Sequence, residues 1–377
     1  MKNEQRLRRL TAGLPAVMIL ALTIGFFTAP KQDFSENENR YLCRLPSPGR
    51  EEVASGAFME ELSAYASDHF LFRDFFIGLK TRTEIGLGKK EINGVYIAAD
   101  DYLIEGYKKA ENTERTAGIL KGFAEELEGE RLRMRLMLVP TAVYVYEDKL
   151  PAHVQHRDQM ETAETLYKAA GIVSIDCSRA LLEQKEGEPL YYRTDHHWTT
   201  RGAYEGYRVF CEEMGFAAVP LSAMTAETVT EDFRGTIYSK VGDYSRKGEP
   251  ITIYTNPEDR LTVSYQDTGR VTDSLYNLDY IQRKDKYSLF LDNLHTLIEI
   301  TNETADSDRE LALIKDSYAN SMVPFLVRHY RKIYVFDTRS YKQGPSGFIR
   351  EHPGITDVLI LYNMNTLDSD LGIRGIY

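Results

Sequence analysis

Cysteine is scarce in this sequence. The three residues, Cys43, Cys177 and Cys211, fall in no CxxC spacing. A disulfide framework and a zinc–thiolate site are therefore not expected, and whether Cys177 and Cys211 pair is not legible. Tryptophan occurs once, at Trp198, against 25 tyrosines and 16 phenylalanines. Tyrosines at a surface suit carbohydrate contact, while a tyrosine-rich core is the plainer reading. No block of lysine and arginine is present, and the formal net charge is −11. Nucleic-acid binding needs clustered cations against phosphate, so that class is excluded. Internal repeats and low-complexity tracts are also lacking. What remains is globular: 42% hydrophobic and 27% charged residues in a chain of 377, long enough for one large domain or two modest ones.

Charge is missing from one long stretch. Leu10 to Pro30 carries none, and Lys2, Arg6, Arg8 and Arg9 precede it. Its 21 residues as a helix would reach roughly 31 Å, enough for a bilayer core. A cleavage site is poorly formed, because bulky Phe27 lies two residues before Ala29. The expectation is a cytoplasmic flank at 1–9 and an uncleaved signal anchor at 10–30. Everything after Lys31 would then be extracytoplasmic. A cleaved signal peptide and a secreted product are the alternative.

Beyond the anchor, Phe34–Gly49 reads as a polar linker and 51–88 as helical. Glu91–Tyr107 carries two apolar runs around Asp100–Asp101, a hairpin signal. A helix follows Asn112–Thr113. Apolar strands then alternate with helical segments: Arg135–Tyr146, Gly171–Ser178, Leu311–Ser317, Lys332–Thr338 and Asp357–Asn363. A helix is expected over Tyr318–Tyr330. Near-continuous apolar strands joined by helices imply an α/β fold with a parallel sheet covered on both faces. The pattern shortens and alternates at about 221–300, which reads as a mostly β insertion. The expected layout is thus a linker with a helical and hairpin region at 31–110, and a main domain at 111–377.

Two constellations carry chemistry. In YYRTDHHWTTRGAYEGY (Tyr191–Tyr207), Asp195, His196, His197 and Trp198 are consecutive. Thr199 or Thr200 can cap the helix that follows. Ala203, Tyr207, Phe210 and Met214 form its apolar face, and Gly215 stops it. Asp195 and His197, two apart in an extended loop, point to the same side. The carboxylate can then accept a hydrogen bond from the imidazole Nδ1–H, fix the tautomer and leave Nε2 as a base. Plain loop polarity, a metal site lacking a second ligand cluster, and a DHH-type phosphoesterase lacking its upstream aspartates are the other readings. In the second constellation a strand ends at Lys315-Asp316-Ser317. A serine there sits at the carboxyl edge of the sheet, where N–H groups can stabilise an oxyanion. Helix capping by Asp316 or Ser317 is the structural alternative.

The string TDHHWTTRGAY resembles the signature of the bacterial DHHW proteins. The resemblance extends through FSENENRYL, SDHFLFRD, KKEINGVYI, RGTIYSKVG, DKYSLFLDN, IKDSYANSMVPFL, VFDTRSY and ILYN, from about 34 to 365. That family is similar to the alginate O-acetyltransferase proteins, whose core is SGNH-hydrolase-like. The resemblance implies a parallel sheet flanked by helices, with Asp195 as acid, His197 as base and Ser317 as nucleophile. It further implies oxyanion or substrate-binding roles for Asn293, Arg339, Tyr362 and Trp198. Lys315 stands where such proteins usually have glycine. The implied function is a serine-dependent O-acetyltransferase or acetylesterase on an exported or cell-envelope polysaccharide. No cofactor or metal is needed, and a membrane protein would supply acyl groups to a transferase. A non-catalytic polysaccharide-binding or assembly subunit of an export machine is the alternative.

Overall fold

The computed structural model describes residues 2–107, 112–154, 156–369 and 371–376. The side chains of the basic flank at 1–9 and the boundary expected at 110/111 lie outside the described residues. The chain divides into two compact units. One comprises 1–89 with 239–246, the other 90–238 with 247–377.

The first unit is helical. Helix α1 (Lys2–Thr28) contains the charge-free stretch, with Pro15 inside it. Among the described residues no helix is long and apolar enough to cross a membrane, so the structure does not support the anchor expected at 10–30. The helical region expected over 51–88 is interrupted at Gly56 (φ 85°) and Phe72 (φ 59°), both left-handed. Between and beyond these breaks lie α2 (Ala57–Asp68) and α3 (Arg73–Gly86). Asp68, at the end of α2, accepts bonds from Arg40 Nη1 at 3.0 Å and from Cys43 N at 2.9 Å. The Arg40 guanidinium holds its carboxyl down to about 2. That ion pair fastens the linker to the helix. Helix α3 packs its Gly78 and Thr81 side inward, where the Thr81 hydroxyl donates to Val241 O at 3.2 Å.

The second unit is layered α/β. Its helices include α4 (Thr113–Glu126), α5 (Gln159–Ala170) and α6 (Thr200–Met214). Among the described residues its centre is an eight-stranded sheet. In chain order the strands are β1 (Arg133–Val139), β2 (Val173–Ile175), β3 (Leu261–Tyr265), β4 (Arg270–Thr272), β5 (Leu297–Asn302), β6 (Glu310–Lys315), β7 (Lys332–Phe336) and β8 (Ile355–Asn363). Their spatial order is β4-β3-β5-β7-β6-β8-β1-β2. The run from β7 to β2 is parallel, with Ile314 of β6 opposite both Phe336 of β7 and Ile360 of β8. Leu311–Ile314 and Leu359–Tyr362 are wholly buried, as strands covered on both faces must be. Tyr191, Tyr207, Tyr318 and Tyr330 are also wholly buried, so the tyrosine excess builds core. All three cysteines are free thiols.

Two expectations need correction. The sheet is mixed, because part of the supposed insertion belongs to it: β3, β4 and β5 extend the edge antiparallel. A short turn can only return a strand antiparallel, and the β3–β4 turn closes on Gly269 (φ 69°), whose N–H reaches Tyr265 O at 2.8 Å. The rest of the region contributes a two-stranded ribbon, Thr225–Phe233 with Glu249–Thr255. The helix expected over 318–330 is instead a 3₁₀ turn, Ser317–Ser321, followed by a four-residue helix, Val323–Leu326. Pro324 has no N–H and is tolerated only in a first turn, so the helix starts beside it.

Candidate active site

The serine is placed by the end of β6. Asp316 follows the strand, fully buried, and its carboxylate is spoken for. Oδ1 accepts Tyr318 N at 2.9 Å, and Oδ2 accepts Asn363 N at 2.7 Å and Nδ2 at 2.6 Å. Burial raises its pKa to about 6 despite those donors. Asp316 therefore clamps the β6 turn to the end of β8 and leaves Ser317 at the start of the 3₁₀ turn. The first N–H groups of such a turn have no partner within it.

His197 comes from a loop stapled at its root. Tyr191 and Trp198 pair across it, and Tyr192 N reaches His197 O at 3.2 Å. Buried Glu249 accepts Arg193 N at 2.8 Å and Thr194 N at 2.9 Å. Thr199 caps α6 through Gly202 N at 3.1 Å, and Gly215 ends it in the left-handed region. This local order presents Asp195 and His197 together. Asp195 Oδ1 lies 2.5 Å from His197 Nδ1 and 3.0 Å from His197 N. Asp195 Oδ2 accepts Thr236 N at 2.8 Å and Thr236 Oγ1 at 3.0 Å. His197 Nε2 lies 2.7 Å from Ser317 Oγ, across 120 residues of sequence.

The electrostatics suit a neutral base beside an ionised acid. Burial, followed by the charge of His196, lowers the His197 pKa to about 4 against the pull of Asp195. Burial would raise Asp195, but the two imidazoles and the Thr236 N–H outweigh it and hold the carboxyl well below its usual range. With Asp195 accepting at Nδ1, the proton belongs on that nitrogen, and Nε2 is left to accept the Ser317 hydroxyl.

A family comparison bears on this arrangement: the sequence model of the DHHW protein family matches residues 91–336. The chain belongs to the DHHW protein family. It is similar to the DHHW family protein of Eubacterium siraeum, whose crystal structure it matches at 26% identity and a TM-score of 0.66, over 75% of this chain and 96% of that one. Bacillus cereus PatB1, solved with a sulfonyl adduct, shares the fold at 20% identity and a TM-score of 0.62, over 75% and 98% of the two chains. Among curated proteins, the probable alginate O-acetylase AlgJ of Pseudomonas syringae pv. tomato is 24% identical over 48% of each chain. The alginate biosynthesis protein AlgX of Pseudomonas aeruginosa is 26% identical over 40% of this chain and 34% of its own. The match thus spans about half or less of these curated relatives.

Not every expected residue of this DHHW protein reaches the triad. Trp198 is wholly buried, donating Nε1–H to Tyr318 O at 2.9 Å. Its ring packs so close to Gly206 that a methyl there would sit 2.9 Å from it. It supports the Ser317 turn and has no face to offer a glycan, which corrects its substrate-binding role. Tyr362 is also wholly buried, its hydroxyl 2.8 Å from Thr338 Oγ1. Asn293 is exposed at φ 75°, after two other left-handed residues, and makes no hydrogen bond to the triad. Arg339 is partly exposed and grips Asp337 through Nε at 2.8 Å and Nη2 at 2.6 Å. Its charge also depresses the pKa values of His197 and Asp316, which puts it beside the cleft. Lys315, at the position noted for lacking glycine, turns into the protein and pairs with Asp337 at 3.0 Å.

Other residues were missed. Tyr287 lies flat against His197, ring centroids 3.7 Å apart and planes 9° off parallel. Its hydroxyl is 3.2 Å from Ser317 O and 3.0 Å from Ser321 Oγ. The His196 ring centroid lies 3.8 Å from that of His197 with the planes tilted by 37°, and His196 Nδ1 is 2.8 Å from Thr236 Oγ1. A methyl on Gly235 would overlap the Asp195 carboxylate. Gly235, Thr236 and Tyr287 all lie in strings that carry the family resemblance, but nothing in their local spacing ties them to the triad.

Asp195, His196 and His197 each offer one ligand atom, all within 4.8 Å of one another. Both ring nitrogens of His197 already have partners, in Asp195 and Ser317. A cation held by this trio would have to break one of those bonds.

Proposed function

We propose that this protein is a serine-dependent O-acetyltransferase or acetylesterase acting on an exported or cell-envelope polysaccharide. The observation that carries the reading is the continuous chain from Ser317 Oγ through His197 to Asp195, at 2.7 and 2.5 Å. The similarity to proteins named for alginate O-acetylation supports a polysaccharide as the substrate class. Ser317 Oγ attacks the carbonyl carbon of an acetyl ester while His197 Nε2 takes its proton. Asp195 orients the imidazole and offsets its charge. N–H groups at the start of the Ser317 turn receive the oxyanion. The tetrahedral intermediate collapses, the donor alcohol leaves with the proton from His197, and acetyl-Ser317 remains. A glycan hydroxyl, or water, then attacks that ester while His197 takes its proton, and Ser317 is regenerated. No cofactor enters this sequence of steps. The substrate class places the enzyme outside the cytoplasm, with a membrane acyl-donor protein as partner in the transferase case.

The wild-type protein should hydrolyse p-nitrophenyl acetate and become labelled at Ser317 by an arylsulfonyl fluoride. Ser317→Ala and His197→Ala should each lose roughly 10⁴- to 10⁶-fold in kcat while keeping the wild-type circular dichroism. A wild-type protein inert to both reagents and to acetylated glycans would leave the polysaccharide-binding subunit in its place.

A further inference from the structure

Helix α3 wears its apolar residues on the wrong side for a packed helix. Its inner side, Gly78 and Thr81, meets residues 241–244. Its outer side carries Phe72 at 64% exposure, Phe75 at 57%, Phe76 at 43% and Leu79 at 44%, with Phe70 at 41% just before it and Leu87 at 84% just after. Phe72, Phe76 and Leu79 follow each other at four and three residues, one stripe of a helix. Contiguous exposed apolar surface of this kind marks an interaction site rather than ordinary scatter. The stripe does not end at α3: Phe70 also lines a groove with Ile19, Leu22 and Phe26 of α1. The charge around it departs from the rest of the chain. Over 70–89 four Lys and Arg (Arg73, Lys80, Arg82, Lys89) stand against Asp74 and Glu84, in a protein of net charge −11. Arg73 pairs with Glu38 and Asp68, and Lys89, though exposed, pairs with Glu84 at 2.8 Å, so the exposed Lys80 and Arg82 are the cations this face offers.

We propose that this face of the helical unit lies on an anionic phospholipid bilayer, with the phenylalanines at the boundary between headgroups and acyl chains and the cations among the phosphates. Aromatic residues flanked by Lys and Arg fit that boundary and need no spanning helix. A second copy of the chain is the poorer occupant, since it would bring the same cations face to face. The inference goes beyond the acetyl-transfer reading and stands without it.

The test is local quenching in the full-length protein. Phe75→Trp and Phe76→Trp each add one tryptophan to a chain whose own Trp198 is wholly buried. With vesicles of brominated phosphatidylglycerol and phosphatidylcholine, the added emission should shift to the blue and be strongly quenched, while Trp198 in the unmodified chain is not. Quenching should weaken when phosphatidylglycerol is omitted, and when salt rises from about 0.1 M to about 1 M, where the screening length falls from ~10 to ~3 Å. An added tryptophan that stays unquenched overturns the proposal even if the protein sediments with vesicles, because α1 alone could cause that. So does a dimer that Phe75→Glu dissociates. If Phe75→Trp perturbs the fold, the Phe76→Trp reading decides.

Discussion

The Ser317 cleft and the outer face of α3 are opposite departures from ordinary packing. In the cleft, charged and polar groups are buried: Asp195, His197, Asp316 and Glu249 are all less than a tenth exposed. On α3, large apolar groups are left in the open. Each departure costs stability, and the molecule answers them differently. In the cleft every buried carboxylate oxygen of Asp195 and Asp316 has a donor, as burial of charge demands. On α3, among the described residues, Phe76 touches Phe75 and Phe70, but Phe75 and Phe76 stay 57% and 43% exposed. The contrast teaches that the cleft satisfies its buried charges internally, whereas the helix face keeps apolar area open for the bilayer proposed above. Substitutions should accordingly be costly and local in the first region and nearly silent for chemistry in the second.

The sharpest way to break that comparison is Asp195→Asn. The amide keeps the shape but offers an N–H or a weaker acceptor to Nδ1, favouring the wrong tautomer. Activity on p-nitrophenyl acetate should fall by about 10⁴ in kcat, with little change in melting temperature. A loss under tenfold would mean that Asp195 does not orient the base.

Gly235→Ala should come next. Its methyl would overlap the Asp195 carboxylate, so either the backbone at 235 or the acid must move. Overpacking of this kind costs about 1–3 kcal/mol, and the displaced acid should take most of the activity with it. Thermal denaturation together with the ester assay reads both, and wild-type values in both would show that the loop relaxes freely.

A smaller effect is the pH profile. The proposed reaction needs neutral His197, whose pKa is lowered to about 4. The acid limb of kcat/KM should therefore fall near pH 4 rather than near the ordinary histidine value. The sign for stability follows from the same shift. The unfolded chain protonates this imidazole near 6.5 and the folded one near 4, so the site costs no stability above pH 6.5 and destabilises progressively as pH falls toward 4. A limb at or above 6.5 would mean that water or a counter-charge keeps the imidazolium in the resting cleft.

The smallest expected effects separate stacking from hydrogen bonding around the base. Tyr287→Phe keeps the ring over His197 and loses the hydroxyl at Ser317 O and Ser321, worth about 1 kcal/mol. Tyr287→Leu removes the stack as well, and should move the acid limb of the pH profile where Tyr287→Phe leaves it. His196→Ala should cost far less than His197→Ala, and EDTA should change nothing. Equal losses at the two histidines, with sensitivity to EDTA, would favour a metal held by Asp195, His196 and His197.

What the residues alone determined lies within a few positions of each other. The Asp-x-His spacing, the threonine cap and glycine stop of α6, the buried strands and the serine two residues past β6 follow from backbone period and capping, which are local rules. The triad was legible because each half had such a local frame and the family resemblance joined them. Tertiary structure alone decided the rest. The stacking of Tyr287, the bond from Thr236 and the close approach of Gly235 bring together segments 40 to 90 residues apart along the chain, and no local period encodes such a meeting. Trp198 and Tyr362 show the converse: the resemblance implied oxyanion or substrate-binding roles for them, but their complete burial was set by their neighbours. The same holds for the sheet, where the runs at 261–302 pair antiparallel with one another and, through β5, with β7. On α3, helical spacing was visible from the start, but which stripe faced outward was settled only when residues 241–244 came to rest against the other.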